Sequence, residues 1–309
     1  KYARKKDGET YTTEEILNFL KSKNEIINQK KQVFQSQDII FDLSCEVIKD
    51  MIEDLYYPQS PYLFNIIEPN LLGKIYEIFL TEQLVLLENN TIGLGKKKDC
   101  QNRSVVTTPT EIVKYMVDKT LSNVCEGKTP SEILNVSVAD IACGSGIFLE
   151  EAFAYLQDYC VQWYISNGQT DHLIETGIDL YKLPLQEKKD ILCSCIFGID
   201  IDIHAVEVAK FSLLIKLIED ETAPSVAEVV PILPDLGDNI QFGNSLVSHT
   251  ELNGISGANH QLMEIAPFDW NAINNGCGFD VIIGNPPYVN TEGMHTLLPS
   301  AEVEVYKKK

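Results

Sequence analysis

The chain has 309 residues, 44% hydrophobic and 23% charged, which excludes disorder and collagen-like repetition and leaves room for two domains with a sizeable core. Its 25 basic against 45 acidic side chains give a net charge of -20, which argues against coating nucleic acid by bulk charge and leaves only local basic patches. The imbalance is uneven: residues 1–110 carry 14 basic and 16 acidic side chains, residues 111–309 carry 11 and 29, so two differently built parts are expected.

No apolar run approaches the roughly 18 to 20 residues that span a bilayer, and the opening Lys1-Tyr2-Ala3-Arg4-Lys5-Lys6 lacks the apolar centre of a secretory signal. A cytoplasmic protein with no membrane partner is expected, and the start without Met reads as a fragment or a trimmed chain. The eight cysteines and five histidines show no CxxC, HxxxH or HxH spacing. Reduced, mostly buried thiols and no protein-bound metal are therefore expected.

Residues 12–90 read mainly as helices, because apolar residues such as Ile39, Ile40, Leu43, Val47, Ile48 and Ile52 recur at spacings of three and four. Pro58 and Pro61 break this leader, and the stretch from Leu71 to Leu80 starts another amphipathic helix. From Gly93 to Arg103 the chain is polar and basic, with Lys96, Lys97 and Lys98 in a row, and reads as a mobile connector. The lysines are either a solvated loop or a contact for nucleic-acid phosphates.

Beyond the connector the period changes. Val136–Ile141, Cys195–Asp200, Ile240–Phe242 and Phe279–Gly284 are short β-rich runs. The clearest helices between them are Gly146–Tyr159 and His204–Glu219. Strand and helix in alternation predict an α/β fold with a parallel sheet covered on both faces.

Three stretches carry chemistry. In Asp140-Ile141-Ala142-Cys143-Gly144-Ser145-Gly146-Ile147-Phe148-Leu149 a strand ends in a glycine turn and a helix begins; glycines there let a ligand lie against the backbone. Leu149 stands where a dinucleotide fingerprint has its third glycine, and Asp140 would repel phosphate. A positively charged ligand fits better, such as a sulfonium amino acid joined to adenosine. In Gly198-Ile199-Asp200-Ile201-Asp202 the acid Asp200 ends the next strand, where it would accept from both ribose hydroxyls or cap the following helix; Asp202 is the better cap. The offset between the two stretches is lengthened by a helical insertion between Tyr159 and Cys193. In Gly284-Asn285-Pro286-Pro287-Tyr288 two prolines stop a strand and stiffen a loop. Such a loop is either an ordinary Pro-Pro turn after an edge strand or one that presents an amide oxygen and a backbone carbonyl to one flat amino group, with a ring to stack on it.

In their order these motifs resemble the adenosylmethionine-dependent DNA adenine N6-methyltransferases of restriction-modification systems, of the gamma motif order and of the type IIG or type I-like kind. The resemblance covers roughly residues 65–309. It implies a Rossmann-like class I methyltransferase domain over 104–309, incomplete at its C-terminus and without a target-recognition domain, behind an N-terminal helical domain and connector over 1–103. Asn285 and the Pro286 carbonyl would accept from the adenine amino group, Pro287 would hold the loop and Tyr288 would stack on the flipped base. S-adenosyl-L-methionine would be held by Thr108 and Pro109 of the upstream motif Thr108–Val113, by Asp140, Cys143, Gly144, Gly146 and Phe148, by Asp200 and Ile201, and by Asn244 and Ser245 of the adenine-side motif Gly243–Leu246. Leu72–Glu77 is similar to the helix that precedes the methylase fold in these enzymes.

The sequence departs from that pattern at Val105, Val106 and Thr107, which stand where aromatic residues are usual, at Asn244, where a carboxylate is common, and at Ile141-Ala142 in place of Pro-Ala. The implied partners are double-stranded DNA and specificity or nuclease subunits or domains. Glu46 and Lys49 have ExxK spacing in a helical pattern and do not form a nuclease centre. The end of the chain, Ala301 to Lys309, reads as the start of one more helix. Two other readings stay open: methylation of protein glutamine or RNA guanine with the same loop, and a non-catalytic methylase-like scaffold.

Overall fold

The computed structural model describes residues 44–54, 82–86, 92–96, 108–178, 180–222, 225, 229–288, 294 and 298–308. The chain divides into two units, residues 1–68 and 69–309. The element described in the first is helix α1, Cys45–Asp54, which falls within the expected leader. The remainder of that leader, the break at Pro58 and Pro61, the helix expected over 71–80 and Lys97 and Lys98 lie outside the described residues.

In the second unit β1 (Glu82–Leu86) and β2 (Ile92–Lys96) pair as an antiparallel hairpin, Glu82 opposite Lys96 and Leu86 opposite Ile92. This corrects the helix expected to run to residue 90 and the connector expected from Gly93. Short apolar runs such as Leu84-Val85-Leu86 do not distinguish strand from helix by period alone.

Helix α2 (Thr110–Cys125) buries Val113, Val117, Leu121 and Cys125, one residue per turn on a single stripe. The short helix α3 (Pro130–Ile133) opens on a capping box, in which Thr129 and Glu132 satisfy each other's backbone N–H groups. Then come β3 (Val138–Asp140), α4 (Ile147–Ser166), a small antiparallel hairpin of β4 (Ile174–Gly177) and β5 (Leu180–Lys182), α5 (Leu185–Cys195), β6 (Ile196–Asp200) and α6 (Ile203–Ile218). They are followed by β7 (Ile240–Phe242), α7 (Ala258–Ile265), β8 (Val281–Ile282) and α8 (Ser300–Lys308), the last where a further helix was expected. The insertion between Tyr159 and Cys193 is thus part helix and part hairpin.

Strands β7, β6, β3 and β8 form one parallel sheet in that order. Alternate residues feed two cores, as the two-residue period of a strand requires. Val138 and Ile196 join Leu149, Phe153, Leu156, Leu213 and Leu217 of α4 and α6, while Ala139, Phe197 and Ile199 join Phe268 and Ile273 on the other face. Both faces are covered, which is why these strands read as unbroken apolar runs. A third cluster binds α8 to the chain after β7, with Ala301 and Val305 against Val247, Leu252, Ile255 and Ile265.

The chain goes from β3 outward to β6 and β7, then returns to the other side of β3 for β8. The strand order therefore reverses at β3, and in open α/β sheets ligands bind outside the carboxyl ends of the strands at such a reversal. Among the described residues no helix is long and apolar enough to cross a membrane. The described cysteines are all free thiols: Cys125, Cys143, Cys160 and Cys195 buried, Cys193 half-buried and Cys277 exposed.

Candidate active site

Asp140 is the last residue of β3, and beyond it the chain makes the glycine turn into α4. Gly146 caps α4 with φ 93°, a left-handed conformation, and a Cβ there would sit 3.1 Å from Ala209 Cβ of α6. This glycine therefore serves both the turn and the close approach of two helices. The Cys143 N–H donates to the Ile199 carbonyl at 3.0 Å, which seats the turn on the end of β6. Burial drives the Cys143 thiol well above its ordinary range, with Asp200 and Asp140 adding to the shift, so it is an inert wall residue. Phe148 is buried in the main core.

Asp200 closes β6 and ties the two acid-bearing strand ends together. Its Oδ2 accepts from the Gly144 N–H at 2.8 Å and its Oδ1 from the Asp202 N–H at 2.8 Å. Burial raises its carboxyl above the ordinary range, against the pull of these backbone donors. The cap of α6 is Asp202, whose Oδ1 accepts from the His204 N–H at 2.9 Å. Asp200 is thereby left to face the strand ends, with the half-exposed Ile201 beside it.

On the other side of β3 the loop after β8 carries Asn285, Pro286, Pro287 and Tyr288. The Asn285 Nδ2 donates to Thr108 Oγ1 at 3.0 Å, and the Tyr288 hydroxyl donates to Asn285 Oδ1 at 3.1 Å. Tyr288, Pro286 and Pro287 are exposed, as the presenting face of a loop must be. Pro109 is the exposed residue that starts α2 and carries Thr108 to this loop.

The two sides meet at Asp140. A Cβ on Gly284 would lie 2.4 Å from Asp140 Oδ1, so only glycine admits the loop this close to the carboxylate. Asp140 Oδ1 accepts from the Ala142 N–H at 3.0 Å, while Oδ2 is buried and has no hydrogen-bond partner. Burial pushes the Asp140 carboxyl up to about 7, opposed by the Ala142 N–H and helped by the Asp200 charge. An orphaned buried acceptor of this kind is costly, and a cationic ligand lying on the glycine turn would satisfy it.

Asn244 and Ser245 both make contacts within the protein. The Asn244 amide is spent inside the protein: Oδ1 accepts from the Leu246 N–H at 3.0 Å and Nδ2 donates to Glu302 Oε1 at 2.8 Å. Ser245 is half-buried and its carbonyl accepts from Trp270 Nε1 at 3.2 Å. Thr108, Asp140, Gly144, Gly146, Asp200 and Asn285 are brought to one end of the sheet. The role of Gly284 and the Thr108–Asn285 link were not read from the sequence; only the glycine preceding Asn285 offered a signal for either.

Residues 194–309 match the family model of the Eco57I restriction-modification methylase. The chain is 41% identical over 290 residues to the type II restriction enzyme and methyltransferase RM.Eco57I of Escherichia coli, a match covering 94% of this chain and 28% of that protein. It is 27% identical over 224 residues to a Methanocaldococcus jannaschii protein provisionally described as type II restriction enzyme and methyltransferase RM.MjaORFECS2P, covering 60% of this chain and 17% of the relative. The chain thus spans less than a third of the length of either relative. The glycine turn, Asp200 and the Asn-Pro-Pro-Tyr loop stand at one end of a parallel sheet, and residues 194–309 are similar to the Eco57I restriction-modification methylase family.

Proposed function

We propose that residues 104–309 are the catalytic methylase domain of a DNA adenine N6-methyltransferase that uses S-adenosyl-L-methionine, with residues 1–103 as the N-terminal region ahead of it. The observation that carries the reading is the close approach of Gly284, the residue before Asn285, to the Asp140 carboxylate, whose Oδ2 is orphaned, at the point where the strand order reverses.

The donor set suits that cofactor. Asp140 offers an unsatisfied buried acceptor to a cationic amino-acid end, and Asp200 offers a carboxylate at the next strand end for ribose hydroxyls. Thr108, Pro109, Gly144 and Ile201 would border the same ligand. When bound, S-adenosyl-L-methionine supplies an electrophilic methyl group on a sulfonium centre. Asn285 Oδ1 and the Pro286 carbonyl accept from the target amino group, which returns electron density to a nitrogen otherwise delocalised into the purine. Tyr288 releases Asn285 Oδ1 and stacks on the extruded base, offsetting an unstacking cost of about a few kcal/mol. No covalent enzyme intermediate is needed.

The substrate would be double-stranded DNA, met in the cytoplasm, with a nuclease or specificity element as partner; both curated relatives are described as restriction enzyme and methyltransferase together. The test is incubation of the full-length protein with tritiated adenosylmethionine and bacterial DNA, then identification of the labelled nucleoside. Label in N6-methyladenine is expected. Label in protein glutamine or RNA guanine, with none in DNA, would replace this substrate, and cofactor binding with no transfer at all would indicate a scaffold.

A further inference from the structure

We infer that Glu302 is a positioning residue for the adenosine side of this site, acting through Asn244; the inference rests on the adenosylmethionine reading. Asn244 and Glu302 are 5% and 3% exposed. Glu302 Oε1 accepts from Asn244 Nδ2 at 2.8 Å and from the Tyr306 hydroxyl at 2.8 Å. The pair links α8 to the turn that follows β7, and α8 is clamped there by Ala301 and Val305.

That turn is the wall next to Asp200. The Gly243 N–H donates to the Asp200 carbonyl at 2.9 Å, the Asn244 N–H to the Ala266 carbonyl at 2.7 Å, and Asn244 Oδ1 receives the Leu246 N–H. The side-chain amide of Asn244 thus stands between a backbone donor and a buried carboxylate. An amide has one acceptor and one donor end and satisfies both neighbours. A carboxylate at 244 would satisfy Leu246 but would set two acceptor-only groups at hydrogen-bond distance in a buried place, where like charges are poorly screened. The residue at 244 is therefore matched to Glu302, and its amide holds the turn beside Asp200.

The complementarity has a reciprocal test in the full chain. Asn244→Asp is expected to weaken adenosylmethionine binding, measured by calorimetry, by about 10-fold or more. It should leave kcat at saturating cofactor within about 3-fold, because the Asn285 loop is untouched. Glu302→Gln alone keeps an acceptor for Asn244 and Tyr306 and should stay within about 3-fold of wild type. The double variant Asn244→Asp/Glu302→Gln restores a donor facing an acceptor and should recover binding to within about 3-fold. Wild-type affinity in Asn244→Asp, or a folded double variant that binds no better than that single change, would overturn the inference. Should Asn244→Asp fail to fold, the double variant decides alone: folded and binding supports the pair, unfolded or folded and weak defeats it. Wild-type protein that binds no adenosylmethionine would sink the cofactor reading and this role with it, whereas wild-type binding without rescue would sink only this role.

Discussion

Thr108 Oγ1 accepts a hydrogen bond from Asn285 Nδ2 at 3.0 Å, across 177 positions of sequence. The amide has two ends, and anchoring its nitrogen on Thr108 turns its oxygen toward the open side of the loop. Thr108→Val removes the anchor while keeping the shape. We expect kcat for methyl transfer to fall about 10-fold, the size of one lost hydrogen bond to a reacting group, with cofactor affinity changed by less. A cofactor affinity that falls while kcat holds would return Thr108 to a purely cofactor-binding role.

Asn285→Ala and Asp200→Ala should separate chemistry from binding. The first removes an acceptor for the target amine and is expected to abolish transfer with cofactor affinity within a few fold. The second removes the carboxylate that holds the Gly144 and Asp202 N–H groups, and should weaken the cofactor first. Calorimetry beside single-turnover rates checks both; equal losses of binding would defeat the division of roles.

Tyr288→Ala should weaken engagement of the extruded base by about 1 to 3 kcal/mol, the worth of one base–aromatic stack. The ring is exposed and supports no core, so the melting temperature should hold. An unchanged rate on duplex DNA would remove Tyr288 from the site.

On the proposed reading, Asp140 should make cofactor binding pH-dependent. Its folded carboxyl lies near 7 against an ordinary 3.8, and a cation at Oδ2 favours the ionised form. Below about 7 the cation must displace a proton, so affinity should rise from pH 6 to pH 8 and then level off. Because the folded value is raised, Asp140 favours folding most below the ordinary value, and that contribution is lost as pH rises through about 7. Asp140→Asn should therefore raise Tm at pH 8, by about 2 °C or more per kcal/mol recovered, while losing the cofactor. A Tm that falls in this variant would show that the carboxylate stabilises the fold in the absence of ligand.

Glu221 acts far from the chemistry. Its side chain, 1% exposed, lies 2.7 Å from Lys188 Nζ and 2.9 Å from Lys182 Nζ, and Ser225 Oγ donates to it at 2.6 Å. Burial alone would raise its carboxyl, but these donors outweigh burial and hold it below the ordinary 4.5. Its contribution to stability is then complete above that value and lost as pH falls through the lower folded one. Glu221→Gln leaves buried ammonium groups short of a counter-charge and should cost about 3 kcal/mol in urea unfolding. A cost under about 0.5 kcal/mol, the scale of an exposed pair, would show that the cluster is solvated.

The parallel sheet and the residues placed at its strand ends were legible because each signal is local. Asp140 and Asp200 close apolar runs, and glycines or prolines follow at once. The hairpin of β1 and β2 was not legible, since Leu84-Val85-Leu86 fits either period and Gly93 and Gly95 mimic a connector. The partner of the Asn244 amide was not legible for another reason. A short motif identifies a position but not its partner, and Glu302 is 58 residues away on a helix whose docking is a tertiary event.

The hydrogen bond from the Gly144 N–H to Asp200 joins the glycine turn and the end of β6 into a single cradle before any ligand arrives. The ordering entropy of the turn is then settled during folding and not charged to association. A ligand should meet a ready receptor, with an on-rate set by diffusion and orientation and unaffected by loop closure. Differences among analogues that share the adenosine part should accordingly show in how long they stay.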